Sequence, residues 1–157
     1  MKHFVEEFVV VSGISANTDI FNGNPISDVV NVSKFARAVI LFSHKGGTTG
    51  NGSIKVQAVD NVAGSNAANL PFRYSKKTTG ASDTWGAITD AVAADGVTTV
   101  ATEDTTYAIE VDLANMPETQ KYLTVKLTEV TNDPVSGSLL ILLGNARYGA
   151  PFDTVLT

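Results

Sequence analysis

Three segments near the C-terminal end decide the fold: Tyr107-Ala-Ile-Glu-Val-Asp-Leu113, Tyr122-Leu-Thr-Val-Lys-Leu-Thr-Glu129 and Ser138-Leu-Leu-Ile-Leu-Leu143. In the first, Tyr107, Ile109, Val111 and Leu113 fall on one face and Ala108, Glu110 and Asp112 on the other, the period-two pattern of a half-buried strand. The second repeats it, with Leu123, Val125 and Leu127 inward and Thr124, Lys126 and Thr128 outward. The third is apolar on both faces, which suits a strand covered on two sides. None of the three carries a catalytic pattern. They are architecture.

Working outward, turn chemistry recurs at short intervals, at Asn22-Gly-Asn-Pro25, Lys45 to Gly52, Asn61 to Asn66, Thr79 to Asp83, Ala94-Asp-Gly96, Asn132-Asp-Pro134, Ser136-Gly137 and Gly149-Ala-Pro151. The runs between them are rich in Val, Ile, Thr, Phe and Tyr and read as strands over Phe4 to Val11, Ser27 to Val32, Ala36 to Ser43, Ser53 to Asp60, Leu70 to Lys76, Val97 to Thr102, Thr106 to Leu113, Tyr122 to Val130 and Ser138 to Leu143, with a short one around Arg147. Ala36 to Ser43 is also apolar on both faces, which places it in the middle of a sheet. Trp85 to Ala94 reads as a short helix or a loop, and Leu113 to Gln120 as a helical turn or a corner. Many short strands without a long amphipathic helix predict an all-β fold, an antiparallel sandwich or jelly roll with long loops. The 157 residues suffice for one such domain with its own core, and residues 1–11 and 149–157 are candidate contact arms.

Composition excludes several classes. There is no cysteine, so disulfides, thiolate metal sites and Cys nucleophiles are ruled out. A net charge of −5 with only 11 Lys and Arg opposes nucleic acid and anionic lipid, whose binding starts with phosphate neutralisation. The N-terminus reaches Glu6 and Glu7 before any long apolar run, so it does not read as a secretory signal. Leu139 to Leu143 is far too short to span a bilayer.

The candidate chemistry is sparse. His3 and His44 lack a nucleophile motif and the spacing of zinc ligands, and both read as solvated, His44 in a loop. Asp83, Asp95, Glu103-Asp104 and Asn132-Asp133 follow no calcium-loop pattern and read as loop carboxylates. A glycosidase acid pair has no sequence signature to support or exclude it. In Lys45-Gly-Gly-Thr-Thr-Gly-Asn-Gly52 the Lys precedes the glycines and a strand follows, so it reads as a flexible hairpin loop and not a phosphate loop. Trp85, the sole tryptophan, suits a sugar-stacking platform, a plug at one end of the sandwich or an oligomer contact. No enzyme activity and no cofactor or metal is expected.

The succession of Leu70-Pro-Phe-Arg-Tyr-Ser-Lys-Lys77, Ser82-Asp-Thr-Trp-Gly86, Tyr107 to Asp112, Tyr122 to Leu127 and Leu140 to Tyr148 resembles the head decoration, or capsid cement, proteins of tailed bacteriophages. The resemblance spans roughly Ala36 to Tyr148, and its weight lies in the order and spacing of the blocks. It implies a virion structural protein, made in the host cytoplasm, that binds the outer capsid surface and bridges major capsid subunits, commonly as a homotrimer. Under that reading the contact candidates are Phe4, Val5, Phe8, Trp85, Phe152, Val155 and Leu156. Phe4 to Val11 suits either the first strand or an extended arm that adds to a neighbour's sheet. The alternatives are a carbohydrate-binding module centred on Trp85 and a tail or head-fibre component. Thermal melts with and without a strong chelator are expected to overlay. A structural ion bound well above its dissociation constant would separate the curves by several kcal/mol of stability.

Overall fold

The computed structural model describes residues 4–78 and 84–146, the side chains of Val5 and Glu6 excepted. His3, the Thr79 to Asp83 turn, the strand expected around Arg147 and the tail with Phe152, Val155 and Leu156 lie outside the described residues. One helical turn, α1 (Phe4–Glu7), precedes eleven strands: β1 (Val9–Asn17), β2 (Val30–Asn31), β3 (Phe35–His44), β4 (Asn51–Val59), β5 (Ala68–Leu70), β6 (Phe72–Thr78), β7 (Thr89–Ala91), β8 (Val97–Thr98), β9 (Thr105–Asp112), β10 (Tyr122–Thr131) and β11 (Gly137–Ala146). They form two antiparallel sheets. One has the order β1-β11-β3-β9-β6-β7 and the other β2-β10-β4-β5, with β8 also paired to β4. The fold is an all-β sandwich.

The inward faces follow from period-two patterning. Leu139, Ile141 and Leu143 of β11, Ala38, Ile40 and Phe42 of β3, and Tyr107, Ile109 and Val111 of β9 are buried against Leu123, Val125 and Leu127 of β10 and Ile54, Val56 and Ala58 of β4. The loop between β1 and β2 closes one end of the sandwich by inserting Ile20 and Phe21, and Ile20 N–H donates to Val135 O at 2.8 Å. Phe21 lies 5.9 Å from the Phe42 ring. It fits because Gly52 of β4 has no side chain: a Cβ there would sit 2.3 Å from the Phe21 ring.

Several expected elements take another form. Phe4 to Glu7 is a helical turn and not the start of a strand, and its Phe8 N–H bonds back to Phe4 O at 3.0 Å. Of Ser27 to Val32 only Val30–Asn31 pairs as a strand, yet Ser27 N–H still donates to Val125 O at 2.8 Å. This segment covers Thr124, expected outward and exposed but buried beneath a hydroxyl pair, Ser27 Oγ to Thr124 Oγ1 at 3.2 Å. Leu70 to Lys76 is split between the sheets at Pro71, which cannot donate to a ladder. Beyond Thr98, Val97 to Thr102 leaves the sheet. Trp85 to Ala94 is neither helix nor wandering loop, since Thr89–Ala91 forms an edge strand. Leu113–Asn115 is a single 3-10 turn, its start capped by the Asp112 carboxylate accepting from Ala114 N–H at 3.0 Å.

Phe21→Ala should cost about 3–5 kcal/mol from the lost aromatic burial and the cavity. Gly52→Ala should cost about 1–3 kcal/mol by overpacking. The double variant should be more stable than the sum of the two, because the added methyl enters the vacated space. Urea midpoints of the four proteins measure the coupling directly.

Candidate interaction surface

The outward face of the six-stranded sheet divides by chemistry. Antiparallel register places Val10, Leu142, Val39, Glu110, Arg73 and Asp90 in one row across it. The neighbouring row holds Ser12, Leu140, Leu41, Ala108 and Ser75. The β1, β11 and β3 end is thus aliphatic, with Val10 exposed to 45% and Leu140 to 38%. The β9 and β6 part is charged. Its ions are already matched, Arg37 with Glu110, and Arg73 with Asp90 at 3.1 Å. Exposed pairs of this kind contribute little stability. Arg37, Arg73, Asp90, Glu110 and Asp112 line an open cleft of about 560 Å³.

The expected double coverage of β11 is therefore met on one face only, whereas β3 lies in the middle of its sheet, between β11 and β9, as expected. Inward residues are closed off, while Leu140 stays open and Val39, Leu41 and Leu142 are half-buried.

The N-terminal candidates extend the aliphatic end. Phe8 is half-buried over β11, in the space that a Cβ on Gly144 would share at 2.8 Å. Phe4 stacks on Phe8 with ring centroids 5.1 Å apart and remains 53% exposed. Of Val5 only the helical backbone is described.

Trp85 lies at the opposite end of the same sheet. Gly86 N–H donates to Lys76 O at 2.9 Å and Ser75 Oγ to Gly86 O at 2.6 Å, which holds the segment beside β6 ahead of β7. Trp85 is 47% exposed, so it does not plug the sandwich. Ile88 (75%) and Val92 (59%) are exposed near it in sequence. Neither was singled out by sequence, because isolated aliphatics in a loop-like stretch carry no periodic signal. The outward aliphatics of β3 and β11 had a signal in their two-faced apolar runs. The structure thus joins Phe4 with Phe8 and sets Trp85 apart from them.

Of the other candidates, His44, Asp104 and Asp133 gather at the β3–β4 connection, whereas Asp95 sits in the turn ahead of β8. His44 is the last residue of β3, not a solvated loop residue; its ring is 3% exposed, 6.0 Å from Tyr107 and 5.7 Å from Phe42. Neither ring nitrogen, nor the Tyr107 hydroxyl, has a hydrogen-bond partner. Burial lowers the imidazole pKa from 6.5, opposed by the Lys45 backbone and the Asp104 carboxylate. Burial likewise raises the Tyr107 phenol. The Gly-rich loop is tied down by loop carboxylates: Asp104 Oδ1 accepts from Gly46 N–H at 2.8 Å, and Asp133 Oδ2 from Thr49 N–H at 3.1 Å and Gly50 N–H at 3.3 Å. These donors, Thr49 first, hold the Asp133 carboxyl below its ordinary 3.8. Among the described residues no group of three His, Asp or Glu side chains is placed to hold a metal ion, and no helix is long and apolar enough to cross a membrane.

No family model and no curated protein matches the sequence. Among solved structures it is similar to the crystal structure of SPBc2 prophage-derived protein YomS, at 15% identity and a TM-score of 0.47, covering 88% of this chain and 94% of that one. At that score the likeness carries no functional argument.

His44 makes stability acid-sensitive in a defined window. Its folded pKa is depressed, so below about pH 6.5 the unfolded chain takes up a proton that the folded chain refuses. Stability is full above that pH and declines as pH falls towards the folded value. The urea midpoint should therefore drop between about pH 7.5 and about pH 5, and less in His44→Phe. Asp133 adds a second loss at lower pH, because its stabilisation is present above 3.8 and disappears as pH falls through its depressed pKa. A wild-type midpoint that does not move between about pH 7.5 and about pH 5 would overturn the assignment of His44 as a buried neutral imidazole.

Proposed function

We propose that this chain is a non-enzymatic virion protein of a tailed phage, a cement protein that docks as a homotrimer on the outer capsid surface and bridges major capsid subunits. The observation that carries the reading is the exposed apolar side chains at the β1, β11 and β3 end of the six-stranded sheet, Val10 and Leu140 with Phe4 beside them, joined to the order of sequence blocks that resembles decoration proteins. Exposed apolar side chains grouped on one sheet face suit contact with another macromolecule. The acidic charge balance directs that contact to protein and not to nucleic acid. An oligomer seated at a symmetric junction engages several capsid subunits at once, so each contact needs only a modest affinity.

The test mixes the purified protein with undecorated heads of its own phage and follows both co-sedimentation and the temperature of DNA release. Binding should saturate, tolerate moderate salt and raise the release temperature. Protein left in the supernatant at tens of micromolar, with an unchanged release temperature, would refute the reading. The exposure of Trp85 favours one second reading, a sugar-binding platform. A glycan array that lights up for the wild type and goes dark for Trp85→Ala would establish it.

A further inference from the structure

We propose that Asn22 is a site of spontaneous deamidation and isoaspartate formation, in the turn that carries the Phe21 plug. The chain has two Asn-Gly steps, Asn22-Gly23 and Asn51-Gly52, and the fold treats them in opposite ways. Glycine after asparagine favours the reaction because it has no Cβ to keep its nitrogen away from the asparagine side-chain carbonyl carbon. Phe21 to Asn24 form a tight turn in which Asn24 N–H donates to Phe21 O at 3.0 Å, with Gly23 at a φ of +76°, where a type II turn calls for glycine. Asn22 and Gly23 are exposed, and a Cβ on Gly23 would meet nothing within 4 Å. Neither the Asn22 side chain nor the Gly23 N–H has a hydrogen-bond partner among the described residues. Water and hydroxide reach both reacting groups.

Asn51-Gly52 is the closed counterpart. Asn51 pairs with Thr131 and Gly52 with Glu129, so the ladder fixes the backbone angle that the reaction has to turn. The nitrogen that would attack is already engaged, Gly52 N–H donating to the buried Thr99 Oγ1 at 3.1 Å, and Asn51 Oδ1 is shut away from solvent. That step waits for β4 to open.

At Asn22 the chemistry balances with water alone. Base removes the Gly23 amide proton, the nitrogen attacks Asn22 Cγ, and the new C–N bond expels the side-chain amide as ammonia, leaving a five-membered succinimide. Water then opens the ring. Cleavage at Cγ gives aspartate at position 22, and cleavage at the former main-chain carbonyl gives isoaspartate, whose main chain is longer by a methylene. The turn hangs between two fixed points, Ile20 and Phe21 in the core and Asn24 with Pro25 beside β10. There Asn24 Oδ1 accepts from Glu129 N–H at 2.9 Å and Pro25 O from Leu127 N–H at 2.9 Å. A methylene inserted between them destroys the turn geometry and loosens the plug. Aspartate adds only an exposed charge.

Folded protein and a urea-unfolded sample are aged side by side in mildly alkaline buffer and mapped by peptide mass spectrometry, with isoaspartyl methyltransferase marking the rearranged product. Relative to its rate in the unfolded sample, Asn51 in the folded protein should lag Asn22 by more than about tenfold, because β4 has to open first. Aged wild type should gain a lower-melting fraction that tracks its isoaspartate content. Asn22→Gln, aged alike, should melt as fresh protein does, because its longer side chain closes the ring far more slowly, and Asn22→Asp should melt with fresh wild type. Asn22 left intact in the folded protein, Asn51 keeping pace with it there, isoaspartate accumulating without a change in the melt, or Asn22→Asp melting as low as the isoaspartate fraction would overturn the inference. The modification and its readout need neither a capsid nor a second copy, so they stand apart from the cement reading.

Discussion

The apolar rows of β11, β3 and β9 must be closed against β10 and β4, and the rest of the molecule follows from that requirement. Burying aliphatic area at roughly 25 cal/mol per Å² is the main term opposing chain entropy, and two facing sheets achieve it at a spacing of about 10 Å. A sandwich leaves its ends open, and the loops are shaped to shut them. Ile20 and Phe21 occupy one end, which obliges Gly52 to be bare. The Ser27 hydroxyl satisfies Val125 N–H at 2.9 Å where a short segment replaces a full strand beside β10. The polar connections then hold one another in place, the carboxylates of Asp104 and Asp133 clasping the Gly-rich loop between β3 and β4.

The same requirement leaves polar groups stranded. His44 and Tyr107 occupy inward positions of their strands and complete an aromatic string with Phe42, Phe21 and Tyr74. Their shapes suit the core, whereas their heteroatoms have no partners there, a situation that costs about 1–3 kcal/mol per group. A reactive role for His44 would need access and an orienting partner. The ring is buried and neither nitrogen has a partner within hydrogen-bond geometry, so the consequence expected of it is a sensitivity to acid.

Much of the core was legible in the sequence, because Leu123, Val125, Leu127, Tyr107, Ile109 and Val111 obey strict alternation and alternation is a local property. The burial of Thr124 was not, since it depends on Ser27, 97 residues away. His44 was misjudged for a related reason: its neighbour Lys45 and the following glycines suggested solvent, while β3 continues one residue past Ser43 and turns the ring inward. Phe4 to Glu7 has the composition of a strand, yet it makes one helical turn where Phe4 stacks on Phe8. Of the contact candidates, Phe4, Phe8 and Trp85 were visible as surplus apolar residues. The outward set of Val10, Leu140 and Leu41 was hidden in plain aliphatic runs, whose two faces differ only once strand order is known.

The sheet edges bear on how large an assembly this chain can make. β2, β5 and β7 are two or three residues long, and β1, the longest edge, breaks register between Ser12 and Ile14 and again between Ile14 and Asn17. Short or bulged edges make poor templates for strand addition. Among the described residues, growth by backbone pairing, which has no natural stopping point and ends in fibres, is thereby disfavoured. A contact made through side chains instead sets an angle between neighbours, and that angle decides whether a series of copies closes or stays open.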